Sequence, residues 1–138
     1  MSDISVRAVS PDQHEAVMHY FDMVAYRLGR VVGWCHAAPK TELRNVAGKK
    51  DPQVGAIVCF VVAPDQRRQG VATTLLEAAL EHLKKRGMKA VEAYPVLGEI
   101  DLKRWSQINY VGPLSMYVKS GFEVVEKNDD SAVVRRTL

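Results

Sequence analysis

Cysteine is nearly absent from this chain. Cys35 and Cys59 are its only two, and both fall in apolar, strand-like runs. A disulfide-stapled scaffold is therefore excluded, and four scattered histidines complete no zinc spacing. The two thiols read as buried and free. A nucleophilic cysteine needs a positioned base, and no fixed spacing supplies one. Aromatic residues are scarce at 7%, and none interleaves with a Lys/Arg run, so nucleic acid is not expected as a partner. No apolar run approaches the length of a membrane span, and no signal peptide opens the chain. The expectation is a cytoplasmic protein with no membrane partner and no bound metal. A large excess of one charge is missing too. The net charge of +3 is compatible with an anionic ligand but makes no polybasic surface. Repeats, low-complexity tracts and linkers are also lacking. What remains is 138 residues, 47% hydrophobic, enough for one core and one domain spanning 1–138.

The organising stretch runs from Cys59 to Leu76. Val54–Val62 is apolar and β-branched, the pattern of a strand covered on both faces. Pro64 cannot donate to a ladder and ends it. From Val71 the apolar spacing changes to Val71, Leu75, Leu76, Ala79, Leu80 and Leu83, which is one stripe of a helix. Lys84, Lys85 and Arg86 suit its negative end, and Gly87 stops it. The turn between strand and helix carries Arg67, Arg68 and Gly70. A helix N-terminus has unpaired N–H groups and partial positive charge, so this turn can seat a phosphate or pyrophosphate. A basic turn with no ligand would carry the same residue types.

Around this unit the chain reads in order. Ile4–Val9 alternates and predicts a first strand. Ser10-Pro11-Asp12 starts a short helix through Ala16, Val17, Tyr20 and Phe21. Met23–Arg27 and Val31–His36 form a hairpin with Gly29 in the turn, closed by Ala38-Pro39. Lys40–Gln53 reads as a polar loop, with part of Thr41–Val46 a helical candidate. Lys89–Pro95 is a strand parallel to its predecessor, because a helix joins them. Val96–Gly112 lacks periodicity. Pro113–Ser120 is a short helix, and Phe122–Lys127 with Ser131–Arg136 is a closing hairpin. The class is α/β (α+β), with a mixed, mostly antiparallel central sheet flanked by helices.

Val62-x-Pro64-x-x-Arg67-x-x-Gly70-x-Ala72, followed by Leu75-Leu76, resembles the acyl-coenzyme A signature of the GNAT N-acetyltransferase superfamily. It is neither a Walker A loop nor a dinucleotide fingerprint. Leu114-x-x-Tyr117-x-x-x-Gly121-Phe122 looks like the family's second motif. The resemblance is strongest from Ala56 to the C-terminus. It implies one GNAT-like domain using acetyl-coenzyme A as co-substrate and no metal. Two departures stand out. One helix, not two, fits between the first two strands, a shortened N-terminal helical region. The position of the family's frequent asparagine is taken by Tyr110, with Asn109 one earlier.

The resemblance also implies site residues. Backbone groups of Phe60, Val61 and Val62 would hold the pantetheine arm. Arg67, Arg68, Gln69, Gly70, Val71, Ala72 and Thr73 would cradle the pyrophosphate. Tyr117 is the implied general acid, since a phenol with a reference pKa of about 10 is protonated at neutral pH and can donate to a departing thiolate; the bland reading is a core tyrosine. Glu92 shares a strand face with Tyr94 and is read either as the base for the amine or as an ion-paired structural group. His36 is a weaker candidate base. Glu99 and Asp101, or Trp105, Ile108 and Tyr110, can border an acceptor pocket or simply belong to a loop. The expected activity is transfer of an acetyl group to a primary amine of a small molecule or protein, in a possible homodimer. The alternative is a non-catalytic acyl-coenzyme A-binding regulatory module.

Overall fold

The computed structural model describes residues 3–8, 22–42, 51–97 and 113–138. Among these, seven strands form one sheet in the order β1-β2-β3-β4-β5-β7-β6. The strands are β1 (Ile4–Ala8), β2 (Met23–Arg27), β3 (Arg30–Pro39), β4 (Val54–Val62), β5 (Ala90–Ala93), β6 (Glu123–Lys127) and β7 (Ala132–Thr137). Two α-helices accompany them, α1 (Val71–Lys85) and α2 (Leu114–Lys119). The β4–β5 pair is parallel, as a helical crossover requires; every other pair is antiparallel. The helix expected over residues 11–21 lies outside the described residues. Lys40–Glu42, read as loop, forms a 3₁₀ turn.

Leu28 and Gly29 make the β2–β3 turn, both with positive φ (52° and 78°). That is the primed turn whose twist matches a two-residue hairpin. Helix α1 buries all six residues of its apolar stripe, Val71, Leu75, Leu76, Ala79, Leu80 and Leu83. Each large side chain there is worth about 1.5–3 kcal/mol of burial, which makes the stripe the main force holding α1 to the sheet. Gly33 and Gly55 face α1 directly, against Val71 and Leu83. Cys35 and Ala37 alternate with Gly33 on that face, so Trp34 and His36 project from the opposite one. Helix α2 joins the same apolar cluster through Met116 and Tyr117.

One irregularity shapes the middle of the sheet. His36 opposes Cys59, but Ala37 opposes Ile57, so Val58 is an extra residue in β4. A bulge of this kind shifts the side-chain alternation by one. Ile57 and Cys59 therefore fall on opposite faces of the sheet, although an unbulged strand would put them on the same face.

Candidate active site

The bulge coincides with a fork. β4 and β5 are paired only from Val54/Ala90 to Ile57/Ala93. Beyond that point β4 continues along β3 through Val62. The chain after β5 stays with the β6–β7 hairpin instead: Ala132 N–H donates to Pro95 O at 3.0 Å, Leu97 N–H to Asp130 O at 2.7 Å, and Val96 bridges Ser131. The two central strands thus part. In an antiparallel ladder, alternate residues turn their backbone groups to opposite neighbours. Ala63 N–H donates to Val32 O, so Cys59 and Val61 face β3. Phe60 and Val62 point their N–H and C=O groups into the fork, where no described strand pairs with them.

Downstream of the fork lies the turn. Pro64–Gln66 is a 3₁₀ turn, and Arg68 and Gly70 then take positive φ of 62° and 83°. Gly70 is the N-cap of α1 and offers no side-chain acceptor to the first turn, which also holds no acidic residue. The N–H groups of Val71, Ala72 and Thr73 have no partner within the helix. Among the described residues no side chain caps the positive end of α1, and the exposed Arg67 and Arg68 flank it. A Cβ at Gly70 would meet nothing within 4 Å. The glycine is required there by its backbone angle, and the space beside it is open. Thr73 is exposed in the first turn, and Thr74 Oγ1 donates back to Gly70 O at 2.8 Å.

The β2–β3 hairpin braces this turn. Arg27 donates to the Oε1 atoms of both Gln66 and Gln69, and through Nε to Asp3 at 2.8 Å. Arg30 grips both carboxylate oxygens of Asp65 at 2.8 Å, and that guanidinium holds the Asp65 carboxyl below its usual range. Sequence reasoning missed this brace. Arg27 and Gln66 are 39 positions apart, and two hairpin arginines carry no local signal for such a contact.

Tyr117 is fully buried, its ring edge-on to Phe122 at 5.2 Å. It sits in one cluster with Phe60 and with Val71, Leu75 and Leu76 of α1. Glu92 lies on the opposite face and is buried with both carboxylate oxygens engaged. Lys40 Nζ donates to Oε1 at 2.7 Å and Arg135 to Oε2 at 3.1 Å. Each carboxylate oxygen of Glu92 thus holds one cation, the contacts that an ion-paired structural group makes. Lys40 was read as the first residue of a loop, and a single sequence offers no sign that it reaches Glu92. The neighbouring Tyr94 hydroxyl is buried with no hydrogen-bond partner among the described residues. Burial, then the Glu92 charge, pushes its pKa up.

His36 belongs to a second cluster on that face. Asp22, buried just before β2, accepts from His36 Nδ1 at 2.7 Å and Ala37 N–H at 3.2 Å through Oδ1, and from Trp34 Nε1 at 3.1 Å through Oδ2. The Trp34 and His36 rings stack with centroids 5.4 Å apart. Cys59 stands opposite His36. Burial raises the Cys59 pKa and the Asp22 charge adds to this, partly offset by a bond to the His36 backbone. A thiol held protonated is a poor nucleophile. Glu99, Asp101, Trp105, Ile108 and Tyr110 lie outside the described residues. No group of three or more His, Cys, Asp or Glu able to hold a metal occurs among the described residues, and no helix there is long and apolar enough to cross a membrane.

A seven-stranded mixed sheet forked at its centre, with a helix N-terminus beside the fork, makes this a single α+β architecture. The comparisons with known proteins agree. The model of the acetyltransferase (GNAT) family matches residues 5–101, and the chain belongs to that family. Solved structures share the fold at low identity. An IAA acetyltransferase from Bacillus cereus is 18% identical, with a TM-score of 0.63 over 98% of this chain and 99% of that one. The ribosomal-protein-S18-alanine N-acetyltransferase from Escherichia coli is 12% identical, with a TM-score of 0.62 over 97% and 93%. The PaiA N-acetyltransferase from Thermoplasma acidophilum, solved in complex with coenzyme A, is 13% identical, with a TM-score of 0.63 over the whole of both chains. No curated protein sequence matches.

Proposed function

We propose that this chain transfers an acetyl group from acetyl-coenzyme A to a primary amine of a small molecule or protein. The observation that carries this reading is the fork, with the Phe60 and Val62 backbone groups turned into it and the open N-terminus of α1 just beyond. The residues present fit the co-substrate. Phe60, Val61 and Val62 offer an extended edge to its pantetheine arm. The Arg67–Thr73 turn offers N–H donors and two guanidinium groups to its pyrophosphate. When bound, acetyl-coenzyme A supplies the activated acyl carbon and the thiolate leaving group. The chain's own part is to hold both ends of that ligand, aim a backbone N–H at the acyl oxygen where charge develops, and donate a proton from the Tyr117 hydroxyl to the departing sulfur. Glu92, held between Lys40 and Arg135, anchors the paired part of the two central strands.

Thiol release across a panel of amines tests the reading, alongside calorimetry with coenzyme A. The expected result is amine-dependent thiol release. Tyr117→Phe should lower turnover by about tenfold or more while coenzyme A affinity stays unchanged. Charge reversal at Arg67 or Arg68 should weaken coenzyme A binding instead. Coenzyme A binding with no thiol release for any amine would move the chain to a non-catalytic acyl-coenzyme A-binding role.

A further inference from the structure

We propose that Val24, Trp34 and Val61 seat the body of the acceptor, and that the amine acetylated here is carried on a flat apolar group, an arylalkylamine rather than a polyamine. This rests on the acyl-transfer reading above. The argument begins with register. Val24 pairs with Trp34 across β2 and β3, and Trp34 pairs with Val61 across β3 and β4. Directly opposed residues share a face of the sheet, with Cβ atoms about 4.5–5.5 Å apart. Met23 and Ala25, on either side of Val24, belong to the core cluster that contains the α1 stripe, as does Phe60 beside Val61. The row Val24, Trp34, Val61 therefore stands on the opposite face. It is not sealed: Val24 and Trp34 are half-buried, and Val61 is 55% exposed.

The row ends at the fork. Val61 lies between Phe60 and Val62, the two residues whose backbone groups turn into it, so this apolar surface is continuous with the proposed pantetheine edge. The row is also rigid at its centre. Trp34 Nε1 donates to Asp22 at 3.1 Å, and the indole stacks on the His36 ring. A side chain already held in place needs little further ordering when a ligand packs against it.

Charge selects between occupants. Strands β2 to β5 contain one acid, Glu92, and Asp22 immediately precedes β2. The two Glu92 oxygens hold Lys40 and Arg135. Asp22 is 3% exposed and is bonded to Trp34, His36 and the Ala37 N–H. Among the described residues of these strands, neither carboxylate is offered to the second ammonium that a polyamine would bring. That ammonium would lose water against an apolar row with no charge to replace it. An aromatic body buries its own apolar surface on the same row and is stabilised by doing so.

The test is thiol release with phenethylamine, ethylamine and 1,4-diaminobutane, all cationic at neutral pH. It is read as ratios of kcat/KM between amines, so that a change in acetyl-coenzyme A binding cancels. The wild type should favour phenethylamine over each of the others by about tenfold or more. Val61→Thr keeps the shape and adds a hydroxyl, and should cut that preference several-fold. Val24→Thr, farther from the fork, should cut it less. Val61→Asp supplies the missing carboxylate and should turn the preference toward 1,4-diaminobutane. A wild type that prefers the diamine, or ratios that neither Val61 variant moves, overturns the seat and leaves acyl transfer standing. So does a dimer, seen by sedimentation, that Val61→Asp splits, which would make the row an interface between copies. A wild type that releases thiol with no amine of the wider panel overturns acyl transfer, and this inference with it.

Discussion

At Gly33 the distance between sheet and helix is set by a single missing carbon. A Cβ there would lie 2.8 Å from Val71 Cγ1, 3.1 Å from Leu75 Cδ1 and 3.2 Å from the Val61 carbonyl oxygen. The last is backbone and cannot step aside. Gly33→Ala is therefore expected to lift the first turn of α1 and cost about 1–3 kcal/mol, seen as a lower Tm. Coenzyme A affinity should fall with it, because Val71 belongs to the proposed phosphate seat. Gly55 is the control. A Cβ there would meet Leu83 Cδ2 at 3.0 Å, the far end of a flexible side chain, so Gly55→Ala should cost less and leave affinity alone. At this scale the sequence showed residue types but not their partners. Arg67, Gly70 and Tyr117 stood out because family spacing marks them. Asp22 and Lys40 did not, one standing just before a strand and the other at the start of an expected loop. Their meaning comes from contacts 14 and 52 positions away.

Among the elements, what was legible was what is local. The α1 stripe was read residue for residue, because a period of 3.6 is written within one stretch of chain. The parallel β4–β5 pairing followed from the helix between them. The bulge in β4 was hidden, since a strand apolar on both faces has no alternation for an extra residue to interrupt. The brace from the β2–β3 hairpin was hidden too, and it yields a prediction. Arg27 ties Gln66 and Gln69 of the turn to Asp3. Arg27→Met keeps the aliphatic stem and removes these bonds. Calorimetry should show coenzyme A binding weakened by several-fold through a looser turn, while the turnover number at saturating acetyl-coenzyme A stays near wild type. An equal fall in both would place Arg27 in the chemistry instead.

For the whole molecule, the titrating groups give a dome of stability. Burial, then Arg86 and Lys85, lower the His82 pKa, and the hydrogen bond from Arg30 lowers that of Asp65. For each, the unfolded chain takes up its proton at higher pH than the folded one, so stability is present above the unfolded value and lost as pH falls through the folded one. Cys35, Cys59 and Tyr94 are raised, chiefly by burial. Their contribution is present at neutral pH and lost as pH rises through their folded values. Denaturant midpoints across pH should peak between these limits, and His82→Gln should flatten the decline from the ordinary imidazole range downward. A midpoint that rises on acidification would contradict the sign. The overall order was only partly legible: the closing hairpin was read from its alternation, but that β7 rather than β6 lies beside β5 is decided by packing across the whole sheet.

The fork also governs traffic. A sheet whose two central strands part presents two faces at the fork, the one that packs α1 and the one that carries His36. On the proposed reading, donor and acceptor need not share a doorway or take turns at one. Both can be resident together, and the acetyl group passes from one to the other without a stay on the protein. Cys59, the nearest thiol to the opening, is kept protonated and out of reach.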